Sequence, residues 1–274
     1  MIEKWTKMRY KNSAYMILIF FGFFLSTLIA KETNYPSSSL NENEFGAVTD
    51  IDGNTYKTII IGTQEWMAEN LRVIHYNNTV PIPTDKTIDW KSTNAGAYTI
   101  YPYEFIEGLN SEDEVLAAYG ALYNWYAVDD KRGICPAGWH VPTDEDWTKL
   151  TIYLGDELSR SFGRLLSNTG GKLKTKNTVI DSHPGWHYPN SGATNETGFS
   201  AIPGGSRYGY GGFGDIGYHG AWWSATYEPV TSWTESRVIS RFWMIYYNYD
   251  KLFNGISNKR NQFSVRCLRY ADQN

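Results

Sequence analysis

The sequence predicts an α+β domain of short antiparallel sheets, one or two helices and long irregular glycine-rich loops. Three observations carry that expectation. A capped helical pattern follows Pro142, β-rich runs open and close the folded part of the chain, and residues 182 to 220 hold so many glycines, broken by single aromatics, that no helix could persist there. Hydrophobic residues make up 42% of the chain and aromatics alone 16%, with 11 Trp and 21 Tyr, so the core must be built from large flat rings more than from aliphatic side chains. The length suits one domain, and no second composition regime appears.

The first thirty residues stand apart. Lys4, Lys7, Arg9 and Lys11 precede an apolar run of 17 residues from Ala14 to Ala30, after which Lys31 and Glu32 restore polarity. This is the pattern of a signal peptide. The run falls short of the ~20 residues that comfortably span a bilayer. An uncleaved short anchor is the alternative, since Leu28 at the −3 position fits cleavage after Ala30 imperfectly. The protein is therefore expected outside the cytoplasm, whether secreted, periplasmic or at the cell surface, and touches a membrane only through this segment if it is retained. No Cys follows the apolar run, which argues against a lipid-attached N-terminus. Residues 31 to 44 (KETNYPSSSLNENE) have almost no apolar content and read as a disordered linker, which puts the domain over 45 to 272.

Removing residues 1 to 30 leaves 21 basic and 28 acidic groups, a net of −7. That balance argues against nucleic acid as a partner, because phosphate binding needs a basic footprint. Cys135 and Cys267 are the two cysteines. In an oxidising compartment their pairing is the default, with two buried free thiols the alternative. A bridge across so long a loop would stabilise the fold by about 2 to 5 kcal/mol.

Within the domain, Ala47 to Ile51, then Asp52-Gly53-Asn54, then Tyr56 to Ile61 reads as strand, tight turn, strand, because Asp-Gly supplies the positive φ a hairpin turn needs. Asp50-Ile51-Asp52-Gly53-Asn54 also resembles the start of a calcium loop, but the closing Glu is not at the required spacing. Ser111 with Glu114 caps a short helix to Ala118, and the stretch Gly120 to Val128 lacks polar alternation and should be buried. Thr143 and Asp146 start the best helix, Trp147, Leu150 and Leu154 face the core, and Gly155 stops it. A second helix is expected over Asp156 to Leu166. Three strand-like runs follow, Ala221 to Ala225, Arg237 to Tyr247 and Gln262 to Tyr270. Of Trp222 and Trp223, one should be core and the other exposed.

Five ordered blocks resemble a known family: Asp50 to Thr58, Trp66-Met67-Ala68-Glu69-Asn70-Leu71, Tyr119 to Val128, Cys135-Pro136-Ala137-Gly138-Trp139-His140-Val141-Pro142-Thr143-Asp144, and Phe263 to Arg269. Together they resemble the Fibrobacter succinogenes major paralogous domain over about residues 50 to 270. That family has no established general activity. It is similar in turn to the C-type-lectin-like superfold, which includes a formylglycine-generating sulfatase-modifying domain whose Leu-Pro-Thr-x-x-x-Trp block looks like Val141-Pro142-Thr143 through Trp147. The resemblance implies a fold in which a helix-borne segment is linked to the last strand, and Cys135 with Cys267 suits such a bridge. Calcium-dependent sugar chelation is not implied, since Val230 follows Glu228-Pro229 and Trp-Asn-Asp is absent. The sulfatase-modifying chemistry, which needs reactive cysteines together, is not carried over either.

Catalytic signatures are wanting. Gly209 to Gly214 and Gly212 to Gly217 each satisfy G-x-G-x-x-G, but neither has the strand and helix that would align backbone amides on a dinucleotide phosphate. His183 and His187 are four apart, yet Pro184-Gly185 breaks the helix that would put both on one face, and no third metal ligand is evident. His140 and His219 read as structural. Asp144, Glu145 and Asp146 sit in a first helical turn, where carboxylates favour the dipole. No G-x-S-x-G elbow or Cys-His pair is visible, and no cofactor is called for.

The functional candidate is the aromatic glycine-rich loop, with Trp186, Tyr188, Tyr208, Tyr210, Phe213, Asp215, Tyr218 and His219 as ligand-binding residues. Rings on glycine turns can stack on sugars or peptides while a carboxylate orients hydroxyls, and the competing reading is that the same rings close a loop minicore. The expectation is an exported, non-catalytic binding or adhesion module for glycan, polysaccharide or a surface protein. The rivals are an enzyme related to the sulfatase-modifying fold or a glycan hydrolase, and a structural cell-surface assembly component.

Overall fold

The computed structural model describes residues 45–84, 86–156, 169–227 and 239–271. The expected export segment, the linker, the helix expected beyond Asp156 and the Glu228-Pro229 pair lie outside the described residues.

The chain opens with strands β1 (Gly46–Thr49), β2 (Thr55–Ile61) and β3 (Gln64–Met67). The turn joining β1 to β2 is held by Asp50. Its Oδ1 accepts the N–H groups of Asp52 and Asn54 at 2.9 Å, and its Oδ2 accepts Asn54 Nδ2 at 2.9 Å and Tyr56 Oη at 2.5 Å. Gly53 adopts φ +82°, the conformation for which Asp-Gly was read as a turn. The acidic run is thus a turn whose first carboxylate is spent on four local donors.

After β4 (Tyr98–Thr99) comes helix α1 (Glu112–Tyr119), capped by the Ser111 hydroxyl on the Glu114 N–H, as the sequence predicts. The buried stretch that follows is strand β5 (Leu122–Asn124) running into a helical turn, α2 (Trp125–Val128), with Asn124 as its N-cap. Helix α3 (Asp144–Tyr153) carries the complete capping box between Thr143 and Asp146, and Gly155 beyond it takes φ +99°. Burial alone would raise the Asp146 carboxyl, but hydrogen bonds from His140, Tyr270 and Thr143 hold it well below the usual carboxylate range.

The stretch Thr169–Leu173 forms a helical turn, α4, where the sequence reads as a helix end. Its two glycines are there for close approach: a Cβ on Gly170 would meet the Lys251 carbonyl at 2.5 Å and one on Gly171 the Gly192 oxygen at 2.3 Å. The glycine-rich region contributes only β6 (Ser206–Arg207) and β7 (Phe213–Gly214) before β8 (His219–Trp223), β9 (Ile239–Tyr246), β10 (Leu252–Asn258), β11 (Gln262–Phe263) and β12 (Leu268–Tyr270). Strand β10 is an addition to the expectation. Its sequence, LFNGISN, has a weak β signature, and its pairing with β9 from Ile239 to Ile245 supplies what propensity lacks. The run Gln262 to Tyr270 is divided, since Ser264 to Cys267 leave the regular ladder between β11 and β12.

Among the described residues the strands form three antiparallel sheets, in the orders β1-β2-β3-β12, β10-β9-β8 and β4-β5-β11-β6-β7. The architecture is α+β. The first sheet joins the opening hairpin to the last strand, with Leu268 opposite Trp66. Aromatic rings fill the interior as composition predicts. Trp147 of α3 stacks on Trp243 of β9 at 5.6 Å and lies 4.9 Å from Trp66 of β3. Trp222 and Trp223 are both fully buried, against the expectation that one faces solvent, because both faces of β8 are covered. Trp222 packs with Trp147 and Phe199, while Trp223 packs with Phe263 and the cystine region.

Cys135 and Cys267 form a disulfide with Cα atoms 5.8 Å apart. It ties the segment before α3 to the approach of β12. Beside it Arg266 is wholly buried, its Nε donating to Asn70 Oδ1 at 3.0 Å and its Nη atoms to the carbonyls of Phe199 and Ser200, with the guanidinium 4.3 Å above the Phe199 ring. Burial lowers its pKa to about 9. Asn70 also donates to the Tyr119 carbonyl and accepts from Trp222 Nε1, so one buried amide joins β3's end, α1 and β8.

Candidate ligand cleft

A cleft of about 640 Å3 opens where three stretches meet: Tyr101 to Glu107, Val179 to His187, and Asp215 to Tyr218, with Tyr119 at the end of α1 between them. The first stretch contains Pro102, which leads a 3-10 turn at Tyr103–Phe105. The second is fastened by His183. Tyr119 donates its hydroxyl to His183 Nδ1 at 2.7 Å, and Nε2 of the same ring lies 2.6 Å from the Glu107 carbonyl. A carbonyl only accepts, so Nε2 carries the proton and Nδ1 receives the phenol. One imidazole therefore ties the first and second walls to the end of α1. Burial raises the Tyr119 pKa to about 12, with the Gly185 N–H pulling the other way, so the phenol stays a donor.

The third wall is a tight turn at Asp215, whose φ is +67° and whose carbonyl accepts the N–H groups of Tyr218 and His219. Gly217 is required here: its φ is +81°, and a Cβ would lie 2.6 Å from the His187 ring. Tyr218 stacks on His187 at 4.0 Å and 23°. Burial lowers the His187 pKa, which keeps the ring neutral at pH 7. The Asp215 carboxylate accepts Tyr208 Oη at 2.9 Å, and the buried phenol of Tyr101 sits close enough for that charge to raise it further.

Of the residues singled out from sequence, Asp215 and Tyr218 line the cleft. Tyr208 braces Asp215 from behind, and the strongly exposed Tyr210 stacks on Tyr208 at 5.2 Å. Phe213 packs edge-on against Tyr101 at 5.2 Å, supporting the opposite wall. Tyr188 is strongly exposed beside the cleft-lining His187 but does not line the cleft itself. Trp186 is fully buried, donating to Thr175 Oγ1 and the Ala201 carbonyl, and is a core residue. His219 is buried too; burial drives its pKa down to about 4 against the opposing charge of Asp215. For these two rings the minicore reading describes the packing.

Sequence reasoning missed Tyr101, Phe105, Ile106, Glu107, Tyr119, Val179 and Ile180. His183 and His187 were seen only as a metal-type spacing, whereas one is a clamp and the other a stacked platform. Lys174 was missed as well. Its buried ammonium donates to the carbonyls of Tyr246, Tyr247 and Tyr249 at 3.2, 3.3 and 2.9 Å, lies 5.3 Å from the Trp186 ring, and is lowered by burial to about 8.

An α+β domain with an aromatic core, one long-range disulfide and a ring-lined cleft built from loops is the class this geometry defines. Its family follows from the sequence: residues 59–269 match the model of the Fibrobacter succinogenes major domain, and the chain belongs to that family. No curated protein and no solved structure matches the chain.

Proposed function

We propose that the protein is an exported, non-catalytic binding module that holds a saccharide in the cleft between Tyr101, Tyr119 and Tyr218. The cleft carries the proposal. It falls in the size range of small-ligand sites, offers flat rings for the apolar faces of sugars, and places a carboxylate and polar ring atoms for hydroxyls. Phe105 at 69% exposure and Ile180 at 87% form an apolar lip that gains by being covered. The clamp at His183 prepares the walls without ligand, which limits the ordering cost of binding.

The reading includes a C-type-lectin-like fold. The disulfide joining the segment before α3 to the last strand, and the pairing of the opening hairpin with that strand, support it. Export is supported by the basic and apolar pattern of residues 1 to 30. The test is a glycan and polysaccharide array probed with the full chain, followed by titration of the hits against a Tyr218→Ala variant. Saccharide hits weakened by that substitution are expected; an array without hits, or hits indifferent to Tyr218, would refute the proposal.

A further inference from the structure

The charge of the cleft narrows its ligand. Glu107 and Asp215 are the acidic residues lining it, and among the described residues no Lys or Arg lines it. Both imidazoles are engaged by the protein itself: His183 bonds the Tyr119 phenol and the Glu107 carbonyl, and Tyr218 stacks on His187, whose pKa burial lowers. Asp215 has one carboxylate oxygen on Tyr208 and no hydrogen bond to the other among the described residues. Around these acids stand the exposed rings of Phe105 and Tyr218, with the buried Tyr101 and Tyr119 behind them. Aromatic faces together with carboxylates attract an organic ammonium by cation–π and ion-pair terms, and the same field repels a carboxylate or sulfate.

We infer that the cleft prefers a saccharide bearing a protonated amine, a glucosamine-type unit, over its neutral counterpart, and rejects the uronate form. This rests on the saccharide reading above and goes further by naming the ligand's charge. Exposed ion pairs and cation–π contacts are individually modest, so the preference for amine over neutral sugar is about tenfold. Discrimination against the uronate is of the same order, at about tenfold below the neutral sugar.

The experiment titrates the full chain with β-1,4-linked oligomers of glucose, glucosamine and glucuronate of equal length. It is done by calorimetry at about pH 7, with the glucosamine nitrogen trimethylated so that its charge, like that of the glucuronate carboxylate, is fixed. The expected order is glucosamine, then glucose, then glucuronate, and Asp215→Asn combined with Glu107→Gln brings the ratio of glucosamine to glucose affinity to about one. Equal binding of all three, tighter binding of glucuronate, or a preference that survives the double substitution would overturn the charge assignment while leaving the saccharide reading in place. Binding of hexalysine in place of the glucosamine oligomer would overturn the saccharide as the carrier of the amine. Failure of all these ligands to bind would remove both readings together.

Discussion

The Tyr119 hydroxyl lies 2.7 Å from His183 Nδ1, and this bond joins the end of α1 to the loop that walls the cleft. The two residues are 64 positions apart in sequence, and the same imidazole reaches on to the Glu107 carbonyl. The cleft's shape thus depends on a phenol and an imidazole that act on each other and need not touch ligand.

Tyr119→Phe removes the donor and leaves Nδ1 unpaired in a half-buried site. A loss of about 1 to 2 kcal/mol in stability is expected, together with a wider cleft and weaker saccharide binding. Denaturant unfolding and titration on the same variant check both; unchanged binding would show that the clamp does not shape the site.

Lys174→Met exchanges a buried ammonium for an apolar side chain of similar length and takes one donor each from the carbonyls of Tyr246, Tyr247 and Tyr249. The expected destabilisation is about 3 kcal/mol, read as a lower denaturation midpoint at an unchanged slope. Tyr247 packs edge-on against the cleft ring Tyr218 at 5.2 Å and its N–H donates to the Tyr218 carbonyl, so affinity per folded molecule should weaken as well.

Reduction of the Cys135–Cys267 bridge, or its replacement by two alanines, frees a loop spanning a sequence separation of 132. Stability should fall by about 2 to 5 kcal/mol in denaturant titrations with and without reductant. Indifference to reductant would contradict the bridge's part in holding the approach of β12.

Acid should weaken the fold through His219. Its folded pKa is lowered by burial to about 4 from 6.5, so between those values the unfolded chain takes up a proton that the folded chain refuses. Stability is then fully present above pH 6.5 and falls as the pH drops toward 4, by about 3 kcal/mol in all. Asp146, held below its ordinary range, adds its own loss only at still lower pH. Unfolding free energies of the protein and of His219→Phe, compared from neutral pH down to the acid range, should converge as the native histidine's advantage disappears; parallel curves would contradict the assignment.

Much of the fold was legible because local chemistry and tertiary packing agree. The Thr143–Asp146 capping box and the spacing of Trp147 and Leu150 define α3, and Asp-Gly defines the first hairpin. Where they disagree, the sequence misleads. Strand β10 exists because β9 pairs with it, and α4 is helical because Gly170 and Gly171 let other backbone come close. The site was half legible. Ring density marked the loop that holds Asp215 and Tyr218, but no periodicity connects that loop to Tyr101, Phe105 or Tyr119, which reach the cleft only through the tertiary fold. Nor could pattern alone separate the buried Trp186 and His219 from the exposed rings beside them.

The most direct test of the account is the affinity of Tyr218→Ala for a saccharide hit, measured beside Tyr188→Ala. Tyr218 lines the cleft at 43% exposure, while Tyr188 is 80% exposed and outside it. Stacking lost at a cleft ring should weaken binding by about tenfold for Tyr218→Ala and leave Tyr188→Ala near the unsubstituted protein. Equal losses in both variants, or none in Tyr218→Ala, would contradict the cleft as the binding site.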